Sequence, residues 1–104
     1  MSKPVEKANF LEKALQAVGK KYDLLILDSL MQNKGKRRFN QLLSDIPSIN
    51  PRILSMRLKD LEKNGLISKS LVLGTPVKTE YNLAEKAEEL AGVIESLKQW
   101  AVKQ

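Results

Sequence analysis

The sequence contains neither cysteine nor histidine. Without cysteine, the chain cannot form a disulfide, a thiol redox switch or a thiolate metal site. Without histidine, it lacks the commonest general base and the commonest metal ligand. Carboxylates and lysines could still support catalysis, but no glycine-rich phosphate loop, metal-ligand spacing or nucleophile–base pair is visible. We therefore expect no enzymatic activity, no cofactor and no metal.

Long apolar runs are also missing, since the longest, Leu24–Leu27, has only four residues. This pattern predicts neither a membrane span nor a signal peptide, so we expect a cytoplasmic protein that does not contact a membrane. A chain of 104 residues that is 42% apolar fits one domain over residues 1–104. A domain of this size has a small core, and a dimer would add to its stability.

The net charge of +6 is concentrated in the middle of the chain. Residues 34–78 hold ten basic and three acidic residues, a net charge of +7, whereas residues 1–33 carry +1 and residues 79–104 carry −2. A basic segment of this kind is typical of a surface that meets the phosphates of a nucleic acid. The alternative interpretation is an ordinary lysine-rich surface.

Hydrophobic periodicity gives the expected order of elements. Apolar residues at steps of three and four predict helices, and alternation on both sides of Gly74–Pro76 predicts a β-hairpin. In chain order we expect helices over residues 5–18, 21–31, 40–46 and 51–64, a hairpin over 66–83 and a helix over 84–104, with a very short strand near Arg38–Phe39. The predicted fold class is mainly α with a β-hairpin wing (α+β).

The stretch over residues 40–64 predicts a helix-turn-helix, the unit that inserts a helix into the DNA major groove. Asn50 is a good N-cap for the second helix, and Pro51 suits its first position. An apolar stripe of Leu54, Leu58 and Leu61 would hold this helix to the domain. The polar residues on or beside the opposite face are Arg52, Ser55, Met56, Lys59 and Lys63.

These polar residues suggest distinct roles in binding DNA. Residues near the start of such a helix reach base edges, so Arg52 is a candidate for bidentate bonds to guanine and Ser55 for a base or phosphate contact. Lys59 and Lys63, further along, are better placed for phosphates. The alternative is an ordinary surface helix with a basic exposed side.

Two other basic regions surround this motif. The hairpin directly follows the second helix, which is the arrangement of a winged helix-turn-helix, and Lys69, Thr75 and Lys78 lie where a wing would contact backbone or minor groove. Arg37 and Arg38 belong to a basic cluster just before the first helix of the motif. We predict that they also lie near DNA, the alternative being a solvated loop.

The segments at residues 37–42, 49–67 and 76–83 together resemble the HxlR-type winged-helix transcription regulators, which share the architecture of the MarR group. The resemblance spans roughly Gly19 to Trp100. It implies a homodimeric DNA-binding regulator in which the terminal helices form the dimer interface and residues 73–78 form the wing tip. Carried over by motif, the residues at the major groove would be Asn50, Pro51, Arg52, Ser55, Met56 and Lys59.

Among the departures from the family pattern, two bear directly on function. Met56 stands where a polar residue such as glutamine is common, and methionine lacks the paired donor and acceptor that read adenine. Some members of the family sense electrophiles or oxidants through a cysteine near the N-terminus. Because this chain has no cysteine, that mechanism cannot be transferred. No residue points to a small-molecule effector.

A dimer is also expected from the terminal helices, which carry more apolar surface than one small domain can cover. Phe10, Val93 and Trp100 are the candidates for a self-complementary patch. Alternatively, these helices pack on the core of their own subunit. The leading hypothesis is a repressor that binds an inverted-repeat operator in double-stranded DNA as a homodimer. The alternative is a winged-helix module that binds a protein partner without sequence-specific DNA binding.

Overall fold

The computed structural model describes the backbone of residues 5–104 and the side chains of residues 9–104. Within that range the chain forms six helices and three strands. They are α1 (Val5–Val18), α2 (Asp23–Gln32), β1 (Lys36–Arg38), α3 (Phe39–Asp45), α4 (Pro51–Lys63), β2 (Ile67–Val72), β3 (Lys78–Leu83), α5 (Glu85–Glu88) and α6 (Ala91–Val102). The order matches the sequence prediction of a mainly helical α+β domain with a β-hairpin after the fourth helix.

The three strands form one antiparallel sheet in the order β1-β3-β2. β2 and β3 make the predicted hairpin, with Ile67 opposite Leu83 at its base and Val72 opposite Lys78 near its tip. β1 pairs with the other edge of β3, where Arg37 lies opposite Tyr81. The sheet therefore connects the hairpin to the chain segment just before α3.

The core lies between α2, α3, α4 and the base of the hairpin, with one buried residue each from α5 and α6. The predicted leucine stripe of α4 is confirmed, because Leu54, Leu58 and Leu61 are all buried. The remaining buried hydrophobic residues are Ile26, Leu27, Leu30, Leu42, Ile46, Leu66, Ile67, Ala87 and Ile94. Burying large aliphatic side chains stabilises a fold by about 1.5–3 kcal/mol each, so this cluster holds α4 firmly against the domain.

Some helix ends shift by one or two residues from the sequence prediction: α2 covers Asp23–Gln32 instead of 21–31, and α3 covers Phe39–Asp45 instead of 40–46. Two further differences have local causes. The helix expected over residues 84–104 is divided into α5 and α6. The amide of Leu90 bonds to the carbonyl of Ala87, a tight three-residue turn that ends α5, and Gly92 is a poor helix former just beyond it. The short strand expected near Arg38–Phe39 is instead Lys36–Arg38, because Phe39 begins α3.

Polar contacts fix α6 against α2. The Nζ of Lys98 lies 2.9 Å from Oδ1 of Asp28 and 3.2 Å from Oε2 of Glu95, and these bonds raise the pKa of Lys98.

Within the described range, no helix combines the length and apolar character that crossing a membrane requires.

Candidate nucleic-acid interface

The N-terminal end of α4 is capped by the groups that the sequence predicts. Asn50 has extended backbone angles, and its side-chain Oδ1 accepts a hydrogen bond of 2.8 Å from the amide of Ile53, with Pro51 in the first turn. At the other end, Gly65 has a φ of +77°, which suits the left-handed residue after a helix. The amide of Leu66 bonds to the carbonyl of Leu61 at 2.9 Å, so the helix ends abruptly before β2.

The exposed face of α4 contains the residues predicted for DNA contact. Since each residue of a helix advances about 100° around the axis, the positions of these residues span an arc of roughly 100°, on the side opposite the buried leucines. All are exposed to solvent: Arg52, Ser55, Met56, Lys59 and Lys63. Among the side chains that the structure describes, none of the three cations on this face is part of an ion pair. The face thus presents Arg52, Lys59 and Lys63 with their positive charge available to a ligand.

A fourth cation of α4, Arg57, lies on a different side of the helix. Its Nε is 2.9 Å from Oδ1 of Asp23, the first residue of α2, and its Nη1 is 2.7 Å from Oδ2 of Asp60. Burial acts to lower the pKa of Arg57, but the hydrogen bonds and charges of Asp23 and Asp60 outweigh it, so the pKa is raised. Arg57 therefore anchors α4 to α2 and does not belong to the exposed face.

Sequence reasoning missed this anchor. Asp23 and Arg57 are 34 positions apart, so no local spacing reveals the pair. The available signal was weaker: Arg57 stands next to the leucine stripe of α4, and Asp23 opens the apolar run of α2. Charged residues at such positions are almost never buried unless they are paired.

The hairpin extends away from the end of α4 as a wing. Lys69 lies opposite Tyr81 and Lys78 lies opposite Val72, so the two lysines stand on opposite faces of the hairpin. Both are exposed, as is Thr75 in the turn between the strands. The predicted wing residues are therefore all accessible, although they do not share one side.

Arg37 and Arg38 have different surroundings. Arg37 makes two hydrogen bonds of 2.8 Å to the carboxylate of Asp45, from Nε and from Nη2, and its side chain is 21% exposed. The DNA contact predicted for Arg37 stays a prediction, and it would require the guanidinium to exchange Asp45 for a phosphate. Arg38 is the N-cap residue of α3, where its backbone amide donates a hydrogen bond of 2.8 Å to Oε1 of Gln41. It lines a cleft of about 460 Å³ that also borders Lys78, so it lies between α3 and the wing.

The three residues predicted for a dimer interface are exposed in the single chain. Phe10 of α1 is 61% exposed, and Val93 and Trp100 of α6 are 50% and 64% exposed. Other large apolar side chains of the same helices are also uncovered: Leu11, Leu15 and Leu97. The alternative is partly correct, because Ala17 and Val18 of α1 and Ile94 of α6 do pack on the core. Phe10, Val93 and Trp100 do not, and their place in a dimer interface stays a prediction.

A helix-turn-helix followed by a β-hairpin, with an exposed cationic face on its second helix, defines a winged-helix DNA-binding protein. Comparison with known proteins identifies the group. The chain matches the HxlR-like helix-turn-helix family over residues 17–104 and belongs to that family. It is therefore a transcriptional regulator of the HxlR type, with the winged-helix architecture shared by MarR regulators.

Named relatives agree with this assignment. The HTH-type transcriptional regulator YodB of Bacillus subtilis is 36% identical over 91 residues, covering 88% of this chain and 80% of YodB. YvaP of the same organism, also named as an HTH-type transcriptional regulator, is 34% identical over 90 residues, covering 86% of this chain and 82% of YvaP. These relatives are named as regulators of transcription and not as enzymes.

Solved structures show the same fold. The reduced form of YodB from B. subtilis superposes with a TM-score of 0.75 at 35% identity, covering 97% of this chain and 92% of that one. The oxidised form of HypR, described as a redox regulator, gives a TM-score of 0.83 at 29% identity, covering 90% of this chain and 95% of HypR. The present chain contains no cysteine, so a thiol switch is not open to it.

Proposed function

We propose that this regulator is a repressor that binds an inverted-repeat operator as a homodimer, with α4 in the major groove and the hairpin as wing. The exposed cationic face of α4 carries the proposal, since Arg52, Lys59 and Lys63 are free of ion pairs among the described residues. When cations that have no partner in the protein bind DNA phosphates, they displace the counterions condensed there. The release of these counterions adds to the affinity for DNA.

The dimensions of α4 suit this role. Its 13 residues span about 20 Å, and the major groove of B-DNA is about 12 Å wide, which admits a helix. Arg52 in the first turn would bond a guanine edge, and Ser55 a base or phosphate. Met56 would make an apolar contact, for which the methyl group of thymine is the natural partner. Asn50 and Pro51 would begin the helix at the edge of the groove. Lys59 and Lys63, further along the helix, would contact phosphates.

The homodimer rests on the apolar residues that the single chain leaves uncovered. On α6, Val93, Leu97 and Trp100 fall within an arc of about 60°, forming one stripe. α1 adds a second apolar face that includes Phe10. Pairing of these faces about a twofold axis would place two copies of α4 about 34–36 Å apart, one turn of the duplex. Since an operator-binding protein works where the chromosome lies, we propose a cytoplasmic location.

The experiment that tests this function is selection of bound duplexes from a random pool at physiological salt. We expect enrichment of an inverted repeat whose half-site centres are about 10–10.5 base pairs apart. Binding of the selected site should persist at about 150 mM salt, whereas non-specific binding weakens steeply. Failure to enrich any sequence, with all duplex affinity lost at that salt, would favour the alternative of a protein-interaction module.

The repressor role requires a separate measurement. A promoter that contains the selected operator should be transcribed less in vitro when the protein is added, because a dimer on the operator excludes polymerase. A matched promoter with a scrambled operator serves as control. Increased transcription from the operator-bearing promoter alone would make the protein an activator and leave the DNA-binding assignment intact.

A further inference from the structure

The end of the wing is apolar. Leu71, Leu73 and Val77 are 66%, 83% and 53% exposed, and with Pro76 they form what we call the apolar tip. The segment from Leu71 to Val77 contains no charged residue. A wing that contacted DNA only through phosphates would gain nothing from aliphatic side chains at this point. The apolar tip therefore needs an explanation beyond the lysine contacts proposed above.

The charges beside the tip favour a duplex as its partner. Lys78 adjoins the tip, opposite Val72, and Lys69 lies on the other face of the hairpin, three residue pairs nearer its base, so each face carries a lysine behind the tip. The two walls of a DNA groove are lined by phosphates, and the sugars between them are largely apolar. An uncharged tip with a lysine on each face is complementary to that arrangement.

The length of the wing places the tip near the adjacent minor groove. β2 has six residues, so at about 3.4 Å per residue the tip lies roughly 20 Å from the end of α4. Half a turn of B-DNA is about 17 Å, half of the 34–36 Å repeat. With α4 in the major groove, the tip would reach the next minor groove outside the half-site.

The hairpin is too wide to enter an undistorted minor groove. Its strands are about 4.8 Å apart before side chains are added, while the minor groove is about 6 Å wide and 7.5 Å deep. Only the turn with its apolar side chains would enter, and the groove would have to open. Apolar side chains that enter this groove partly unstack a base step and bend the duplex.

We propose that the apolar tip, led by Leu73, wedges into the minor groove beside each half-site and so makes the flanking sequence a determinant of binding. The steps that open most easily are TA and CA/TG, and these are the steps that the tip selects. The proposal rests on the proposed function, because it requires α4 in the neighbouring major groove. Leu73 would thus contribute to sequence specificity, although its side chain has no donor or acceptor that could form a hydrogen bond with a base.

The test uses the Leu73→Ala variant of the full chain on the selected operator. Because Leu73 is 83% exposed, its truncation should leave the fold intact. Val102→Ala is the matched control, since Val102 is an aliphatic residue that is 84% exposed at the far end of α6. Each protein is titrated against operators that carry either a TA step or a stiff A-tract about half a turn outside each half-site. The bend is measured by energy transfer between dyes at the duplex ends.

We expect the wild-type protein and Val102→Ala to prefer the TA flank by at least about threefold and to bend that duplex, since flexible steps cost less to deform. Leu73→Ala should bind both flanks equally and bend the duplex less, while its preference for the half-site sequence is unchanged. An unchanged flank preference in Leu73→Ala would overturn the proposal. So would a loss of self-association in that variant without any effect on DNA, because the tip would then be a contact between copies of the chain.

The failure of this inference can be told apart from failure of the proposed function. If the wild-type protein binds its operator specifically but ignores the flanks, only the role of the apolar tip is wrong. If the wild-type protein binds no duplex specifically, the proposed function fails and the role of the tip fails with it.

Discussion

Arg57 of α4 holds the carboxylate of Asp23 at a distance of 2.9 Å, and the Asp23 side chain is only 1% exposed. The other oxygen of Asp23 accepts a hydrogen bond of 2.9 Å from the backbone amide of Lys20. One buried carboxylate therefore connects the proposed recognition helix to the segment between α1 and α2. The position of α4 depends on this pair as well as on the leucines beneath it.

Replacement of Arg57 by alanine should destabilise the fold by about 3–5 kcal/mol, because a buried carboxylate loses its counter-charge. Urea unfolding measures the change. Asp60→Asn is the control: it weakens the more exposed partner of Arg57 and should cost no more than about 1 kcal/mol. A double variant, Asp23→Leu with Arg57→Met, should recover much of the lost stability. Equal costs for Arg57→Ala and Asp60→Asn would show that the buried pair contributes no special anchoring.

The capping role of Asn50 can be tested separately from its proposed contact with DNA. Asn50→Ala should reduce stability by about 1 kcal/mol, since the amide of Ile53 loses its acceptor. Asn50→Ser keeps a capping oxygen and should retain stability in thermal and urea unfolding. If Asn50 also contacts the groove, the serine variant will fold normally but bind the operator more weakly. Full operator affinity in Asn50→Ser would restrict Asn50 to its capping role.

Loss of a cation that contacts a base and loss of a cation that contacts a phosphate should weaken DNA binding in different ways. Arg52→Ala should cost about 1–3 kcal/mol on the selected operator and relax the preference at one base pair. Lys78→Ala should weaken operator and random duplexes alike and lower the slope of log K against log salt by about 0.9 per subunit. Fluorescence anisotropy titrations over a range of salt measure both effects. The assignment of roles is wrong if both variants affect operator and random duplexes equally.

The proposed dimer depends on the apolar stripe of α6. Trp100→Glu should give a monomer, because a charge would be buried in the centre of the interface. Val102→Glu is the matched control: it is on the same helix and exposed, but about 180° from Val93 around the axis. Sedimentation velocity should find a dimer for the wild-type protein and for Val102→Glu. A dimer that persists in Trp100→Glu would place the interface elsewhere.

Alkaline pH should weaken the fold through Tyr81. Burial raises the pKa of Tyr81, and the nearby charge of Glu62 raises it further. In the unfolded chain the phenol ionises near its ordinary pKa of about 10, so above that pH the unfolded state is favoured until the folded phenol ionises too. The contribution of Tyr81 is thus complete below about pH 10 and is lost as pH rises through the raised pKa.

Tyr81→Phe should therefore lose less stability than the wild-type protein between pH 9 and pH 11, a range that brackets the ordinary phenol pKa of about 10. Urea unfolding at both values gives the comparison. Glu62→Gln should shift the Tyr81 titration part of the way back, as read from the ultraviolet absorbance of the phenolate. Identical alkaline losses in the wild-type protein and Tyr81→Phe would exclude Tyr81 as the source.

Local sequence patterns were sufficient to predict most of the helices and strands that form the proposed interface. Asn50, Pro51 and Gly65 mark the ends of α4 because caps depend on a few neighbouring residues. The leucine stripe fixed which side of α4 is buried, and therefore which side is exposed. The hairpin followed from alternation around a glycine–proline turn.

The features that the sequence did not reveal are ones that hydrophobic periodicity does not show. The pairing of β1 with β3 joins Lys36 to Asn82, and its three residues are too short to show a periodic pattern. The ion pair of Arg37 with Asp45 occupies a guanidinium that composition alone counted as free. The break between α5 and α6 escaped notice because the apolar spacing of the tail is continuous across it. The strand pairing depends on tertiary contacts, the ion pair on side-chain geometry, and the helix break on a local turn between Ala87 and Leu90, and hydrophobic periodicity encodes none of them.

Because β3 is the central strand, it is hydrogen-bonded along one edge to the rest of the hairpin and along the other to β1. A force that bends the hairpin therefore also displaces β1, whose last residue, Arg38, is the N-cap of α3. Two parts of the DNA-binding unit that are distant in the chain would thus move together when either one is pushed. A distortion imposed by the duplex on one side would be transmitted mechanically to the other.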